Sequence, residues 1–444
     1  MRIEEFQGSK VGILGAGREG RASHDWLRRQ QPRLEITLLD ESGVDPDFAA
    51  ALHPPSRAIV APLDARRLCS FDILIRSPGV SLYRPELQAA RAAGVRITTP
   101  SNLWFAAHAS AKTICITGTK GKSTTSALLA HMLQACGLKT RLAGNIGFPL
   151  LACDDEAVDW WVIEMSSYQI ADLQANPDIA AFLNLSPEHL DWHGGYEAYR
   201  NDKLRLAELA QKGRRVVNHL DAGLAGYFSG SPRVVWFNHP DSVHVKNRQL
   251  MHRDLKLPAV MPPGLPGSHN LSNAAAALCI VDAAGAALDD AARSISSFEA
   301  LPHRLQCLGE QNGITYINDS IASTPVATVA ALEALHGKSI VLIVGGKDRG
   351  LDWSVHADAF GKWPPEALVG MPDNGPKIEV QLKVGGFKAA GGFHQVADLA
   401  AAVRKAESLA EPGGIVLLSP GAPSFPHFAD FRERGYAFSR LSGF

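Results

Sequence analysis

The chain has 444 residues, 46% of them hydrophobic and 20% charged, so several ordinary cores can form and length suggests about three domains. A net charge of −1 argues against a strongly basic nucleic-acid binder. Six scattered cysteines without a C-x-x-C pair suggest neither a zinc site nor a disulfide framework, and read as reduced thiols of a cytoplasmic protein. The opening Met1-Arg-Ile-Glu-Glu-Phe6 lacks an apolar core, so no signal peptide is expected. No apolar run is long enough to span a bilayer, so no membrane insertion is expected.

Lys10 to Leu14 reads as a strand, followed by Gly15-Ala-Gly17-Arg18-Glu19-Gly20 and a helix carrying Trp26 and Leu27. A second strand, Leu34 to Leu39, ends at Asp40. Taken alone this is a dinucleotide fingerprint, with glycines for the turn and an acid for a ribose, and it supports an NAD dehydrogenase as a rival reading. Phe71 to Ile75 is another strand, ending in Ser77-Pro78-Gly79, and Gly94 to Thr98 is one more. Alternating strands and helices imply a doubly wound α/β sheet. Small and polar residues at 106–112 are expected to form a linker.

Thr113 to Thr117 then runs as a strand into Gly118-Thr119-Lys120-Gly121-Lys122-Ser123-Thr124 and a helix with Leu128, Leu129, Met132 and Leu133 at helical spacing. Strand, glycine loop and helix N-terminus make an anion site, to which a lysine adds a point charge. The general nucleotide loop G-x-x-x-x-G-K-[ST] is not met, because Ile116 stands where its first glycine belongs. Gly144-Asn145-Ile-Gly147 is a turn after a strand near Arg141. Asp159 to Glu164 delivers Glu164 at a strand end, and Ile179 to Asn184 does the same for Asn184, ahead of Pro187-Glu-His189-Leu-Asp-Trp-His193. A carboxylate at a strand end beside an ATP loop is a natural magnesium ligand.

Tyr196 to Ala210 is expected as a helix bearing Lys203, which alone would read as a solvated face between Arg200 and Arg205. Pro263 to Asn273 holds a Gly-Ser-His-Asn cluster opening an alanine-rich helix, and a second linker is expected at Glu299 to Pro302. Strands near Ile314 to Asn318, Ser339 to Val344 and Ile415 to Leu418 end in polar loops that read as one crevice.

These pieces in this order resemble the Mur ligases over essentially the whole chain. The pieces are Gly118 to Thr124, Gly144 to Gly147, Glu164 to Tyr168, Asn184 to Asp191, Lys203, Gly267 to Asn273, Pro302 to Arg304, Asn318 to Ser320 and Ser419 to Ser424. The resemblance implies three α/β domains: a Rossmann-like domain at 1–108 for a UDP-sugar, a P-loop-like ATPase with a mainly parallel sheet at 109–300, and a Rossmann-like amino-acid domain at 301–444. It is nearest the branch that adds glutamate to UDP-N-acetylmuramoyl-L-alanine in peptidoglycan synthesis. Ile321, where common D-glutamate-adding members have lysine, and Gly421-Ala-Pro423 point to the less common branch that adds L-glutamate. The same ligation with D-glutamate is the alternative.

The resemblance also implies residue roles. Gly118 to Thr124, Asn145, Asn273, Arg304 and Asp319 would bind ATP, with Lys122, His189 and Lys203 as the catalytic set. Ser123 and Glu164 would hold one magnesium, His189 would serve a second, and Lys203 would carry a carbon dioxide-derived carbamate that ligates metal. Gly15, Gly17, Arg18, Glu19, Asp40, Ser77, Pro78 and Gly79 would hold the UDP-sugar, reassigning the dinucleotide fingerprint. Ser323, Arg349, Ser424 and Phe431 would grip glutamate. The expected protein is a monomer, with a glutamyl epimerase acting on its product.

Overall fold

The computed structural model describes residues 1–41, 43–153, 157–262, 264–299 and 301–444. Pro263, which opens the expected glycine-rich cluster, and Ala300, within the second expected linker, lie outside the described residues. The chain divides into two compact units: Met1–Val260 with Leu271–Ile295, and Met261–Asn270 with Ser296–Phe444.

The first unit begins with five parallel strands, β1 (Lys10–Leu14), β2 (Glu35–Asp40), β3 (Ser56–Val60), β4 (Ile73–Arg76) and β5 (Arg96–Thr98), in the order β3-β2-β1-β4-β5. Val11 pairs with Ile36 on one side and Ile73 on the other. The sequence reading missed β3, an edge strand with one buried residue and therefore no apolar run. Gly20 opens the following helix where an added side chain would run into the Gly15 carbonyl. That close approach lets helix and strand pack tightly.

A second sheet of six parallel strands follows: β6 (Thr113–Thr117), β7 (Thr140–Gly144), β8 (Trp160–Glu164), β9 (Ile179–Phe182), β10 (Arg214–Asn218) and β11 (Val234–Phe237). Their order is β11-β10-β9-β6-β8-β7, which sets β6 between the strands that end near Asn184 and Glu164. Ile114, Cys115 and Ile116 are wholly buried, as expected of a parallel strand covered on both faces. A small antiparallel sheet, β12 (Val243–Lys246), β13 (Gln249–His252) and β14 (Leu255–Lys256), completes the unit's strands.

One apolar cluster runs from Ile13 and Ile75 through Trp104 to Cys115 and Ile163, so the two large sheets of this unit share a core. Trp104 lies on the helix Pro100–Ala107, which takes the first two residues of the expected linker. The His108 ring then stacks on Trp104 at 4.5 Å, and Trp161 meets Trp104 at 4.8 Å. Aromatic packing, invisible in the small residues Ala106 and Ala107, holds this segment in place.

A buried ion pair adds a polar tie. Arg76, at the end of β4, donates to Asp172 through Nη2 at 2.7 Å and Nε at 3.2 Å, and to the carbonyls of Val80 and Tyr168 at 2.7 and 3.0 Å. Its side chain has no exposed surface.

The second unit has six strands, β15 (Gln306–Gln311), β16 (Ile314–Asn318), β17 (Ile340–Gly346), β18 (Ala367–Asp373), β19 (Phe393–Gln395) and β20 (Ile415–Leu418). The order is β15-β16-β20-β17-β18-β19, parallel except for β15 at one edge. The sequence reading named β16, β17 and β20. It missed β18, whose Gly370 and Pro372 act as breakers in a linear reading. No helix among the described residues is long and apolar enough to cross a membrane.

Breaking a buried ion pair strands the partner charge, so Arg76→Leu should destabilise the first unit by about 3–5 kcal/mol. Asp172→Asn keeps a hydrogen-bond acceptor and should cost less. Chemical unfolding of the purified variants checks this; equal, negligible losses would remove the pair from the fold's supports.

Candidate active site

The loop after β6 is held by its own carbonyls and by the segment after β9. Gly121 takes φ +82°, and an added side chain there would collide with the Asn273 amide. Lys120 N donates to Asn184 Oδ1 at 2.8 Å and Asn184 Nδ2 donates to Lys120 O at 3.0 Å. Thr119 Oγ1 meets the Tyr199 hydroxyl at 2.7 Å and accepts from Ser186 N at 3.0 Å. Lys122, Ser123 and Thr124 then open the helix Lys122–Ala135. Lys122 Nζ curls back onto the carbonyls of Gly118 and Thr119 at 2.9 and 3.0 Å. All seven expected loop residues thus lie in one preformed turn at a helix N-terminus, the geometry that receives phosphate.

Glu164 ends the neighbouring β8 and is 1% exposed. Its Oε1 accepts from Asn145 Nδ2 at 2.6 Å, while its Oε2 is buried without a hydrogen-bond partner among the described residues. A buried carboxylate oxygen lacking a donor fits a cation. Among the described residues no three His, Cys, Asp or Glu side chains converge on a metal position. The expected set asks for only two of that class, beside a hydroxyl and a modified lysine.

Lys203, on the helix Tyr196–Leu209, is 2% exposed and not a solvated face. Its Nζ donates to Gly118 O at 3.0 Å, and no ion pair reaches it among the described residues. Burial first, and the charge of Lys122 second, hold its pKa well below the usual lysine value. A lowered proton affinity is what reaction with carbon dioxide requires. His189 adopts the left-handed conformation at φ +57°. Its ring lies 4.9 Å from Tyr168, and desolvation lowers its pKa.

All eight residues expected at the UDP-sugar line one cavity of about 690 Å³. Asp40 Oδ2 accepts from Ala16 N at 2.8 Å, so this acid braces the glycine loop. Arg18 donates to the Gly147 carbonyl at 3.1 Å. Glu19 is half-buried, and desolvation pushes its carboxyl up to about 7. Asn145, Ser166, Tyr168 and Gln169 line the same cavity from the other sheet of this unit.

In the second unit the adjacency of β16, β20 and β17 brings the three expected loops together. Ser419 Oγ donates to Asp319 Oδ2 at 2.8 Å, Gly345 N to Pro420 O at 2.9 Å and Lys347 N to Pro423 O at 3.0 Å. Burial pushes the Asp319 carboxyl up to about 7, against the lowering influence of Ser419 and then Arg304. Ser424 is buried, and the Phe431 carbonyl accepts from Ser320 Oγ at 2.8 Å. Arg349 is exposed and makes no hydrogen bond or ion pair among the described residues. Ser323 is half-buried in its loop.

Several residues of these sites carried no role in the sequence reading. Glu188 pairs with Lys120 at 2.7 Å. Arg84 grips Glu41 at 2.6 and 3.0 Å on the wall of the same 690 Å³ cavity. Arg434 is buried across Ser320 and the Ala422 carbonyl, and desolvation lowers its pKa to about 10. Tyr199 was the one within reach of sequence logic, lying one helical turn before Lys203.

Three domain families match the chain: the Mur ligase MurD-like N-terminal domain at residues 9–99, the Mur ligase middle domain at 116–281 and the Mur ligase glutamate ligase domain at 303–421. A UDP-N-acetylmuramoyl-L-alanine–L-glutamate ligase of Xanthomonas campestris pv. campestris (strain 8004) is 42% identical, covering 100% of this chain and 97% of that protein. Proteins of the same name from Xylella fastidiosa (strain Temecula1) and Salinispora tropica are 43% and 36% identical, over 100% and 99% of this chain and 97% and 98% of theirs. Among solved structures, a UDP-N-acetylmuramate-alanine ligase from Thermotoga maritima superposes with a TM-score of 0.62 at 17% identity, covering 98% of this chain and 99% of that one. That likeness speaks to the fold, and the full-length identity to the relatives speaks to descent. The chain belongs to the Mur ligase family.

Proposed function

We propose that this chain is an ATP-dependent ligase that joins L-glutamate to UDP-N-acetylmuramoyl-L-alanine during peptidoglycan synthesis. The observation that carries the chemistry is the meeting, at one edge of a parallel sheet, of a phosphate-shaped loop, a buried carboxylate oxygen lacking a donor and a buried lysine. The identity of the amino acid rests on the full-length relatives, which are named for L-glutamate. The division into domains at 108/109 and 300/301, a cytoplasmic location, a monomeric state and a downstream epimerase belong to the same reading.

The alanyl carboxylate oxygen attacks the γ-phosphorus of ATP, and ADP leaves. The amino group of glutamate then attacks the acyl carbon of the acyl phosphate, losing a proton, and the tetrahedral adduct expels phosphate. Lys122 offsets charge on the phosphates from its place over the loop. Neutral Lys203 attacks carbon dioxide, forming an N–C bond and releasing a proton, so that a neutral amine becomes an anionic oxygen ligand. Ser123 and Glu164 would hold one magnesium and His189 would serve a second, with the Lys203 carbamate as a further oxygen ligand; the metals would screen the carboxylate from the phosphates so that the two anions can meet. Gly15, Gly17, Arg18, Glu19, Asp40, Ser77, Pro78 and Gly79 hold the UDP-sugar in their shared cavity. Asn145 and Asn273, with Arg304 and Asp319, are assigned to ATP. Ser323, Arg349, Ser424 and Phe431 are assigned to glutamate, with the exposed Arg349 guanidinium suited to a carboxylate.

Lys122→Ala should lower kcat by about a hundredfold or more while leaving UDP-sugar affinity nearly unchanged. Calorimetry showing lost UDP-sugar binding would contradict the separation of the two sites. Lys203→Ala should lose activity and regain part of it with millimolar short carboxylic acids; no recovery with any acid would remove the carbamate. Incubation of UDP-N-acetylmuramoyl-L-alanine and ATP with L- and D-glutamate separately should give product with L-glutamate only. Product with D-glutamate only would keep the ligase and overturn the stereochemistry.

A further inference from the structure

Four side chains from three separate segments form a polar chain in the first unit that none of the roles above uses. The His193 ring contacts Ser167 Oγ through Nε2 at 2.9 Å and Asp202 Oδ2 through Nδ1 at 2.6 Å. The Tyr83 hydroxyl lies 2.8 Å from both Asp202 oxygens and donates to that carboxylate. Ser167, His193 and Asp202 are all buried. The order Ser-His-Asp is that of a nucleophilic triad, but a serine 3% exposed has no face for a substrate. The chain's use must lie in what it holds.

Each member belongs to a segment that carries the site. Ser167 follows Glu164 by three residues, His193 ends the turn that begins after His189, and Asp202 immediately precedes Lys203. On the helix Tyr196–Leu209 the spacing of Tyr199, Asp202 and Lys203 puts all three on one face. Tyr199 reaches Thr119, Lys203 reaches Gly118, and Asp202 reaches His193 and Tyr83. A rotation of this helix that frees Asp202 therefore moves both contacts to the phosphate loop. Tyr83 comes from the 77–84 segment, whose Ser77, Ser81 and Arg84 line the UDP-sugar cavity. Ser81 Oγ adds a bond to the Trp192 carbonyl at 2.7 Å, and the Tyr83 ring meets Trp192 edge-on at 5.9 Å.

We propose that Asp202, His193 and Tyr83 are positioning residues that set the rotation of the Lys203 helix against the phosphate loop, with Tyr83 tying that setting to the wall of the UDP-sugar cavity. In its consequence for turnover this rests on the ligase reading of Lys203; in its geometry it does not.

Two measurements on the full chain separate the two claims. Tyr83→Phe should lower kcat about tenfold and Asp202→Asn about a hundredfold, with KM for ATP within about twofold, as for residues that orient a ligand without touching substrate. The double variant should be no slower than Asp202→Asn alone, because both changes break one chain of contacts. Losses that multiply in the double variant, or a fall in thermal midpoint with kcat unchanged, would overturn the positioning role. The second measurement, hydrogen exchange of the 117–121 amides, needs no turnover. Exchange should quicken about threefold or more in Asp202→Asn, and saturating UDP-N-acetylmuramoyl-L-alanine should slow it in the unsubstituted chain but not in Tyr83→Phe. Unchanged exchange in both variants overturns the proposal. An unsubstituted chain that makes no product sinks the ligase reading instead, and leaves the exchange result to decide this one.

Discussion

A lysine buried against a backbone carbonyl, with no ion pair among the described residues, is the constraint on which the first unit turns. Lys203 spends its hydrogen bond on Gly118 O, in surroundings that disfavour its charge. Such a contact persists only if the groups around it are held rigidly. The holding is visible on every side: Asn184 pins the loop, Tyr199 pins Thr119, and Lys122 closes over the same carbonyls. The parallel sheet makes this possible by placing β6 between β8 and β9, so the loop, Glu164 and Asn184 emerge side by side.

The cavity proposed for the UDP-sugar depends on the same economy of placement. Its glycine loop is braced by Asp40, and its far wall comes from Asn145 and the 166–169 turn. Asn145 belongs to both worlds, lining the cavity and bonding Glu164. Arg76 and Asp172 hold the first sheet against the turn that carries Tyr168, and Arg76 also lies 5.5 Å over the Trp192 ring. The cavity wall and the glycine loop after β6 are thus parts of one packed unit with a common core.

The second unit repeats the logic with different chemistry. Three adjacent strands deliver three loops, and Asp319, Ser419 and Arg434 lace them from beneath. Arg434 is buried on three acceptors, with the Asp319 carboxyl favouring its charge, under loops expected to meet an anionic amino acid. Arg349, by contrast, stands exposed, with no hydrogen bond or ion pair among the described residues.

By itself the sequence determined the strand, glycine loop and helix around Lys122, the strand ends that carry Glu164 and Asn184, the glycine turn with Asp40, and the order of pieces that marks a Mur ligase. These are local: each is written in consecutive residues whose backbone preferences or periodicity announce it. The tertiary structure decided the rest. Lys203 lies between two arginines and reads as surface, until the fold turns that face inward. Tyr83, Asp202 and His193 meet across more than a hundred residues, and β18 survives its glycine and proline because neighbouring strands complete its hydrogen bonds. Burial and long-range pairing depend on what the chain packs against, and no window of consecutive residues contains that partner.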